Sequence, residues 1–340
     1  MTLSHQLKHG LMALVMLIFL MSTALAQTIV GPGTIPGTDA MVSEQKAGSV
    51  LFFLYYQSNS TTPGVNTRIN ITNTHLELSA FVHVFFFSSC TPADAYVCLT
   101  PNQTISVTSL DYDPDSRGYV AAIAVDGGSP QVPGTGCPVR FNWLIGDEFI
   151  KTKTIQATLN AEAVAARFGV NDNDRIGGPA CKAGDLTANL VFDGSANGYD
   201  KLGSVLAIDN FPSRIDGYKV RITVVSLGTN EDFAISGGSG GTLTGVIYDE
   251  RGQPFSFTLS MACSEVSEIA PRTLFSIDEW IGSGQTGWAR LWLNKKALLG
   301  AVFITNFGTG SNAFTGGHTL HKLTLAPTAT VTIPLFVPAC

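Results

Sequence analysis

The chain has 340 residues, of which 45% are hydrophobic and only 14% are charged, with 35 glycines and 16 prolines. The charged fraction lies below the roughly 25% of average soluble chains, which favours a turn-rich β protein. A formal net charge of -6 and a pI near 5.5 offer no basic surface, which excludes nucleic acid as a partner.

The N-terminus has the pattern of a secretory signal peptide. Lys8 and His9 precede an apolar run over 11–20, and the cleavage-site pattern Ala24-Leu25-Ala26 stands directly before Gln27. The run is shorter than the about 20 residues that span a bilayer, and no comparable run follows. We expect a leader at 1–26 that is cleaved, no transmembrane anchor, and a protein that is secreted, held at the cell surface or periplasmic.

The segment after the leader is rich in turn-forming residues and predicts an extended arm over 27–48. The rest is long for one hydrophobic core. It predicts an all-β fold of two antiparallel β-sandwich (immunoglobulin-like) domains, at 49–182 and 183–340, typical of secreted bacterial proteins. β-branched and aromatic runs predict strands of the first domain at 50–56, 67–73, 80–87, 104–109, 118–125 and 139–144.

One short helix is predicted near the domain junction, over 161–168. Asn160 is its N-cap, Glu162 lies in its first turn and Gly169 follows its end. Strands of the second domain are predicted at 186–192, 205–208, 218–226, 243–248, 255–261, 273–277, 288–293, 298–306, 318–325 and 328–335.

Parts of the two halves resemble each other in the same order, which indicates either a duplication or the general likeness of sandwich strands. Segments 50–51, 67–71, 110–111, 118–119 and 122–125 are matched in turn by 205–206, 220–224, 277–278, 287–288 and 301–304.

All six cysteines lie beyond the leader, where thiols are normally oxidised, and none has zinc-site spacing. Fifteen pairings are open, of which proximity in sequence favours the local ones. The favoured pairs are Cys90–Cys98, Cys137–Cys181 and Cys263–Cys340.

Two glycine-rich motifs resemble catalytic or cofactor motifs. Residues 237–241 fit G-x-S-x-G around Ser239, with His318 or His321 as the partner of a hydrolase triad. A strand rather than a helix is predicted to follow, which favours a hairpin loop. Residues 282–287 fit G-x-G-x-x-G, but a strand again follows, so this motif is predicted to be a turn. We assign no catalytic or cofactor-binding residue.

Closely spaced aspartates in two separate loops are candidate calcium ligands. They are Asp111, Asp113, Asp115, Asp172 and Asp174. The first group lacks the glycine and final glutamate of an EF-hand, so solvated turn residues are the alternative. No other cofactor is expected.

Histidine pairs are poor metal sites here. His318 and His321 are three residues apart, which on one strand directs them to opposite faces. His83 is expected on the polar face of its strand.

Aromatic residues offer the one candidate ligand platform. Trp280, Trp288 and Trp292 lie close in sequence, and the last two share a strand face. Tyr55, Tyr56 and Tyr119 are the corresponding candidates in the first half. Burial in the core is the competing and favoured interpretation.

The leading functional hypothesis is an exported, non-catalytic module of the cell surface, matrix or adhesion apparatus, with a structural role. The alternative is a secreted module that binds carbohydrate or protein through exposed aromatic residues. A secreted hydrolase is third.

Overall fold

The computed structural model describes residues 46–129, 132–169, 181–182, 184–238, 240–269, 281–308 and 313–337. They form an all-β fold of antiparallel sheets, as predicted, with one short parallel pairing between two strands. The strands of the first half are β1 Val50–Gln57, β2 Asn66–Asn73, β3 Ala80–Ser88, β4 Thr91–Leu99, β5 Thr104–Thr108, β6 Arg117–Val125, β7 Gly128–Ser129, β8 Val132–Pro133, β9 Leu144–Lys151, β10 Gln156–Asn160 and β11 Glu162–Val164. Those of the second half are β12 Thr187–Phe192, β13 Gly203–Pro212, β14 Tyr218–Leu227, β15 Glu231–Asp232, β16 Gly241–Tyr248, β17 Pro254–Met261, β18 Ser264–Glu268, β19 Thr286–Trp292, β20 Ala297–Phe307, β21 Ala313–Thr319, β22 His321–Leu325 and β23 Ala329–Pro334.

Helical structure is confined to single turns in these ranges. An α-helical turn, α1, covers Ser109–Tyr112, and a 3-10 turn covers Arg214–Asp216. No helix of the described residues is long and apolar enough to cross a membrane.

The two halves repeat one topology. In repeat 1, residues 50–164, one sheet has the order β11-β1-β6-β3-β4 and the other β10-β9-β2-β5. In repeat 2, residues 203–325, the corresponding orders are β22-β13-β19-β16-β17 and β21-β20-β14-β18. The two sheets of repeat 2 are joined into one by the pair Gly203 and Leu298, where repeat 1 has the isolated bridge of Gly48 and Leu144.

The register of the strands repeats as well. The pairing of β1 with β6 shifts at the bulge Leu54-Tyr55, and that of β13 with β19 shifts at the bulge Asp209-Asn210. A bulge disrupts the ladder and leaves local N–H groups to find other partners. Identical order and identical bulges therefore support a duplication.

Three hydrophobic cores separate four layers of sheet. The first lies between the two sheets of repeat 1, and another lies inside repeat 2. The third, here called the central core, joins the repeats: it contains one face of β1, β3 and β6 together with the outer side of β14 and β20, and residues of β12 and β23. The predicted domain boundary between residues 182 and 183 stays a prediction. Each sheet is built from strands on one side of this boundary, but the central core contains residues from both sides.

Sequence patterns explain the local structure of the strands. In β2, Ile69 and Ile71 are buried while Arg68 is exposed, the alternation of a strand with one wet face. In β3, residues 82–87 are all buried, because this strand lies between two cores. The continuous apolar run predicted a central strand, and β3 lies between β4 and β6.

The predicted helix over 161–168 is wrong. Residues Glu162–Val164 form β11, which pairs with β1. Ala161 and Ala163 face the core of repeat 1, while Val164, Ala166 and Phe168 face the central core. This is a two-residue period, which burial on both sides hid behind helix-like capping residues.

Other sequence expectations also need correction. The strand predicted at 139–144 is for the most part only an isolated bridge and a turn. The single strand predicted at 318–325 is two strands, separated at Leu320. The match of 122–125 with 301–304 is wrong, because β6 corresponds to β19 and β20 corresponds to β9. The predicted strand 273–277 lies outside the described residues.

One long-range disulfide joins the repeats. Cys90 bonds to Cys263 with a Cα–Cα distance of 5.5 Å, and Cys137 bonds to Cys181 as predicted. The pairings Cys90–Cys98 and Cys263–Cys340 are therefore wrong. Cys90 lies in the turn between β3 and β4, whereas Cys98 pairs with Phe81 at the other end of this hairpin, about 23 Å along the strand.

A buried glutamate completes the bulge of β1. The carboxyl group of Glu148, on β9, accepts hydrogen bonds from the backbone N–H groups of Leu54 and Tyr55. Glu148 is fully buried, and burial raises the pKa of its carboxyl well above the ordinary value against the effect of these bonds. In repeat 2 the residue equivalent to Glu148 is Val302, which has no carboxyl group. At the bulge of repeat 2, the side chain of Asp209 accepts a hydrogen bond from its own backbone N–H instead.

Removing the disulfide between the repeats should cost more stability than removing the local one. The bonds close 173 and 44 residues of chain, and loop entropy predicts a difference of about 1 kcal/mol. Urea unfolding of Cys90→Ser/Cys263→Ser and Cys137→Ser/Cys181→Ser variants measures it. Peptide mapping without reductant checks both bonds, and an equal or smaller loss for the first variant contradicts the expectation.

Candidate functional site

The outer side of β13, β19 and β16 in repeat 2 presents aromatic and charged side chains outside all three cores. We call it the open face. Alternation along the strands directs Leu206, Leu291 and Ile247 inward and their neighbours outward. The open face consists of Val205, Ala207, Asp209, Thr244, Val246, Tyr248, Trp288, Arg290 and Trp292.

Two stacked rings and a guanidinium occupy the centre of this face. Tyr248 and Trp288 are direct cross-strand partners whose ring centroids lie 4.7 Å apart at 15°. The Arg290 carbon Cζ lies 5.0 Å from the Trp288 centroid and 5.7 Å from that of Tyr248. Cation–π attraction holds Arg290 here. Arg290 has no ion-pair partner among the described residues, so its donors are available to a ligand.

An acidic group with two histidines borders the stack. Asp209 lies in the bulge of β13, and its Oδ1 is 3.2 Å from His318 Nε2 while its Oδ2 is 3.3 Å from His321 Nε2. The expectation that these histidines point to opposite faces is wrong. The strand is interrupted at Leu320, so that His318 lies on β21 and His321 lies on β22.

His318 also contacts the backbone of its own strand. His318 Nδ1 is 3.0 Å from the carbonyl oxygen of Thr319, which can only accept. Burial raises the pKa of Asp209, but hydrogen bonding by His321 and the charge of His318 outweigh it and hold this pKa below its usual range.

The described tryptophans of the predicted platform are partly exposed. Trp288 and Trp292 share the open face, as their spacing predicted, and neither belongs to a core, so the favoured interpretation of core burial is wrong for both. Tyr55, Tyr56 and Tyr119 are buried. The predicted leader at 1–26 and most of the predicted arm at 27–48 lie outside the described residues. Five candidate site or disulfide residues do so as well: Trp280, Ser239, Asp172, Asp174 and Cys340.

The described calcium candidates bond to separate parts of the protein. Asp113 accepts a hydrogen bond from the Tyr56 hydroxyl, and Asp115 accepts one from the backbone N–H of Ser60 at 2.7 Å. Asp111 accepts a hydrogen bond from the Thr108 hydroxyl, just before α1. The Ser60 bonds hold the pKa of Asp115 below its usual range. Across the described ranges, no group of three His, Cys, Asp or Glu side chains is arranged to hold a metal ion.

The glycines of the G-x-S-x-G motif pack tightly at the contact of the repeats. A Cβ on Gly237 would lie 2.5 Å from the Phe87 ring. The Gly237 carbonyl accepts a hydrogen bond from Tyr119, and its N–H donates to Cys90. Strand β16 follows, as predicted, in place of the helix of a nucleophile elbow.

The second glycine motif is a turn, as predicted. Its residues 283–284 turn the chain directly into β19. Asp216 accepts hydrogen bonds there from the Ser283 hydroxyl at 2.6 Å and the Gly284 N–H at 2.7 Å.

His83 is buried rather than on a polar face. It stacks on Tyr96 with ring centroids 4.3 Å apart, and its Nε2 lies 2.9 Å from Asp94. The prediction failed because β3 has a core on each side. Burial lowers the pKa of His83 and outweighs the opposing effect of Asp94.

No family model matches the chain, and no curated protein matches it significantly. The open face was only partly predictable: its tryptophans share a strand, but nothing local in the sequence links them to Asp209, His318 or His321.

A methyl group at Gly237 should destabilise the contact of the repeats. Gly237→Ala must displace the Phe87 ring, and such overpacking costs about 1–3 kcal/mol. Urea unfolding measures the loss. Gly282→Ala is the matched control, because its Cβ would meet only the flexible tip of Gln285 at 3.2 Å. Similar stability of the Gly237→Ala variant and the wild type would contradict the tight packing.

His83 should make the fold sensitive to acid. Its folded-state pKa is lowered, so its stabilising contribution is complete above the unfolded pKa of about 6.5 and is lost as pH falls from there through the folded pKa. We expect unfolding free energies of the His83→Gln variant to depend less on pH in this range. NMR titration checks the cause, and a His83 pKa at or above the unfolded value contradicts it.

Proposed function

We propose that the protein is exported and acts as a non-catalytic β-sandwich module of the cell surface or matrix, with a structural or adhesive role. The arrangement that supports this best is the joining of two repeats by one core and by Cys90–Cys263. Such disulfides persist in oxidising compartments outside the cytosol. A chain with the leader pattern of 1–26 would reach such a compartment.

The surroundings of the glycine-rich loop support a structural over a catalytic role. The Phe87 ring leaves no room for a side chain at Gly237, and the backbone N–H of Gly237 is bonded to the Cys90 carbonyl. Packing between the repeats therefore explains a glycine at this position. Loss of a measured esterase activity on Ser239→Ala would restore the hydrolase hypothesis.

A second candidate function is a binding module that uses the open face. The observation in its favour is the exposed Arg290 beside the Tyr248–Trp288 stack. Aromatic stacks with an arginine are suited to both carbohydrate and protein partners.

Export should depend on the apolar run of the leader. Leu17→Arg interrupts this run, so we expect the variant to stay in the cytosol with its leader attached. The unchanged chain should leave the cytosol with Gln27 as its first residue. Intact mass and fractionation of the native host measure both.

The Gln6→Arg variant is the control, because it adds the same charge before the apolar run. Protease treatment of intact cells then separates surface-bound from free protein. An unprocessed cytosolic wild-type chain would overturn the proposed function.

A further inference from the structure

One sheet face is buried in repeat 1 and exposed in repeat 2. On β6 and β3, Tyr119 and Phe87 stack with centroids 4.8 Å apart and are fully buried in the central core. Their equivalents by register are Trp288 and Tyr248, which stack at 4.7 Å on the open face. The open face is therefore the counterpart of a surface that already serves as an interface.

The surface that covers repeat 1 is the outer side of β14 and β20. The Thr223 hydroxyl donates to the carbonyl of Leu54 at 2.9 Å, and Phe303 meets Tyr55 edge-on at 5.4 Å. The two repeats thus meet through unlike faces. Such a heterologous contact leaves one face of each kind unused, and its repetition between molecules builds rings or filaments.

The unused face of the second kind lies on repeat 1. We call it the far face: the outer side of β9, β2 and β5. Ile145 and Phe149 stand there at the positions of Leu299 and Phe303, which the central core buries. Ile145 is 43% exposed, an apolar side chain kept at the surface. The far face consists of Arg68, Asn70, Thr72, Thr104, Ser106, Thr108, Ile145, Asp147 and Phe149.

Charge distinguishes the unused faces from the buried interface. Ala121 on β6 and Ala301 on β20 both belong to the central core. The equivalent of Ala121 on the open face is Arg290, and the equivalent of Ala301 on the far face is Asp147. Two alanines of the central core thus correspond to opposite charges on the two unused faces.

We propose that the open face of one chain binds the far face of a second copy of this chain, in the same way as the two repeats bind each other. This rests on the proposed structural role and extends it to a head-to-tail assembly. Arg290 then approaches Asp147 of the next copy, and Asn210 takes the place of Tyr55 against its Phe149.

Three single variants of the oxidised mature chain test this arrangement by sedimentation velocity over a wide concentration range. Trp288→Glu disrupts the open face, and Phe149→Glu disrupts the far face. Leu186→Glu is the control, because Leu186 is 83% exposed and lies on neither face. We expect the wild type and the control to form a series of growing oligomers, and each face variant to lose every species larger than one chain.

Mixing the two face variants separates head-to-tail binding from other contacts. Each variant keeps the face that the other lacks, so the mixture should form dimers with one chain of each kind and nothing larger. Failure of this complementation overturns the proposal, as does a symmetric dimer that only Trp288→Glu abolishes. A charge exchange, Arg290→Asp with Asp147→Arg in one chain, should restore assembly that either change alone weakens.

A wild-type chain that stays monomeric, or that binds a soluble glucan or xylan through the open face instead, also overturns the assembly. These outcomes leave the proposed function standing if the chain is found at the cell surface. A cytosolic chain that assembles head to tail would overturn the function alone.

Discussion

Burial of one sheet on both faces is the constraint on which the rest of the structure depends. The sheet β11-β1-β6-β3-β4 places seven consecutive residues of β1 between two cores, so no side of this strand can face water. Each large apolar side chain that is fully buried contributes about 1.5–3 kcal/mol. Repeat 1 therefore needs a cover, and repeat 2 supplies it through β14 and β20. The disulfide, the close approach at Gly237 and the hydroxyl of Tyr119 all lie around this contact.

The differences between the repeats follow from which faces are covered. Where repeat 1 has Leu54 in its bulge, repeat 2 has Asp209, because the first residue meets a core and the second meets water. Where repeat 1 satisfies its bulge with the buried Glu148, repeat 2 has Val302 in a purely apolar core. A buried N–H must find an acceptor, which explains why a carboxyl group is tolerated at zero exposure. One topology thus carries two sets of side chains.

Sequence patterns predicted the elements whose period was clear. The alternation of β2, the apolar run of β3 and the strands after both glycine motifs were all recovered, as were the segments that begin each repeat. The predictions failed where long-range contacts decide the structure. Alanines around β11 predicted a helix because both faces of this segment are buried, and Cys90 lies far from Cys98 because the two stand at opposite ends of the hairpin of β3 and β4. The group of Asp209, His318 and His321 depends on three strands that no local pattern connects.

The same doubly buried sheet has a consequence for how the chain is made. Ribosomes release the N-terminus first, so β1, β3 and β6 emerge well before β14 and β20 can cover them. During this interval a nascent chain exposes strands rich in phenylalanine and tyrosine, with high β-propensity and few charges, which is the profile of a segment prone to aggregate. The first repeat therefore stays exposed to aggregation until β20 has been translated. Its sequence order, rather than its final stability, sets the period of greatest risk.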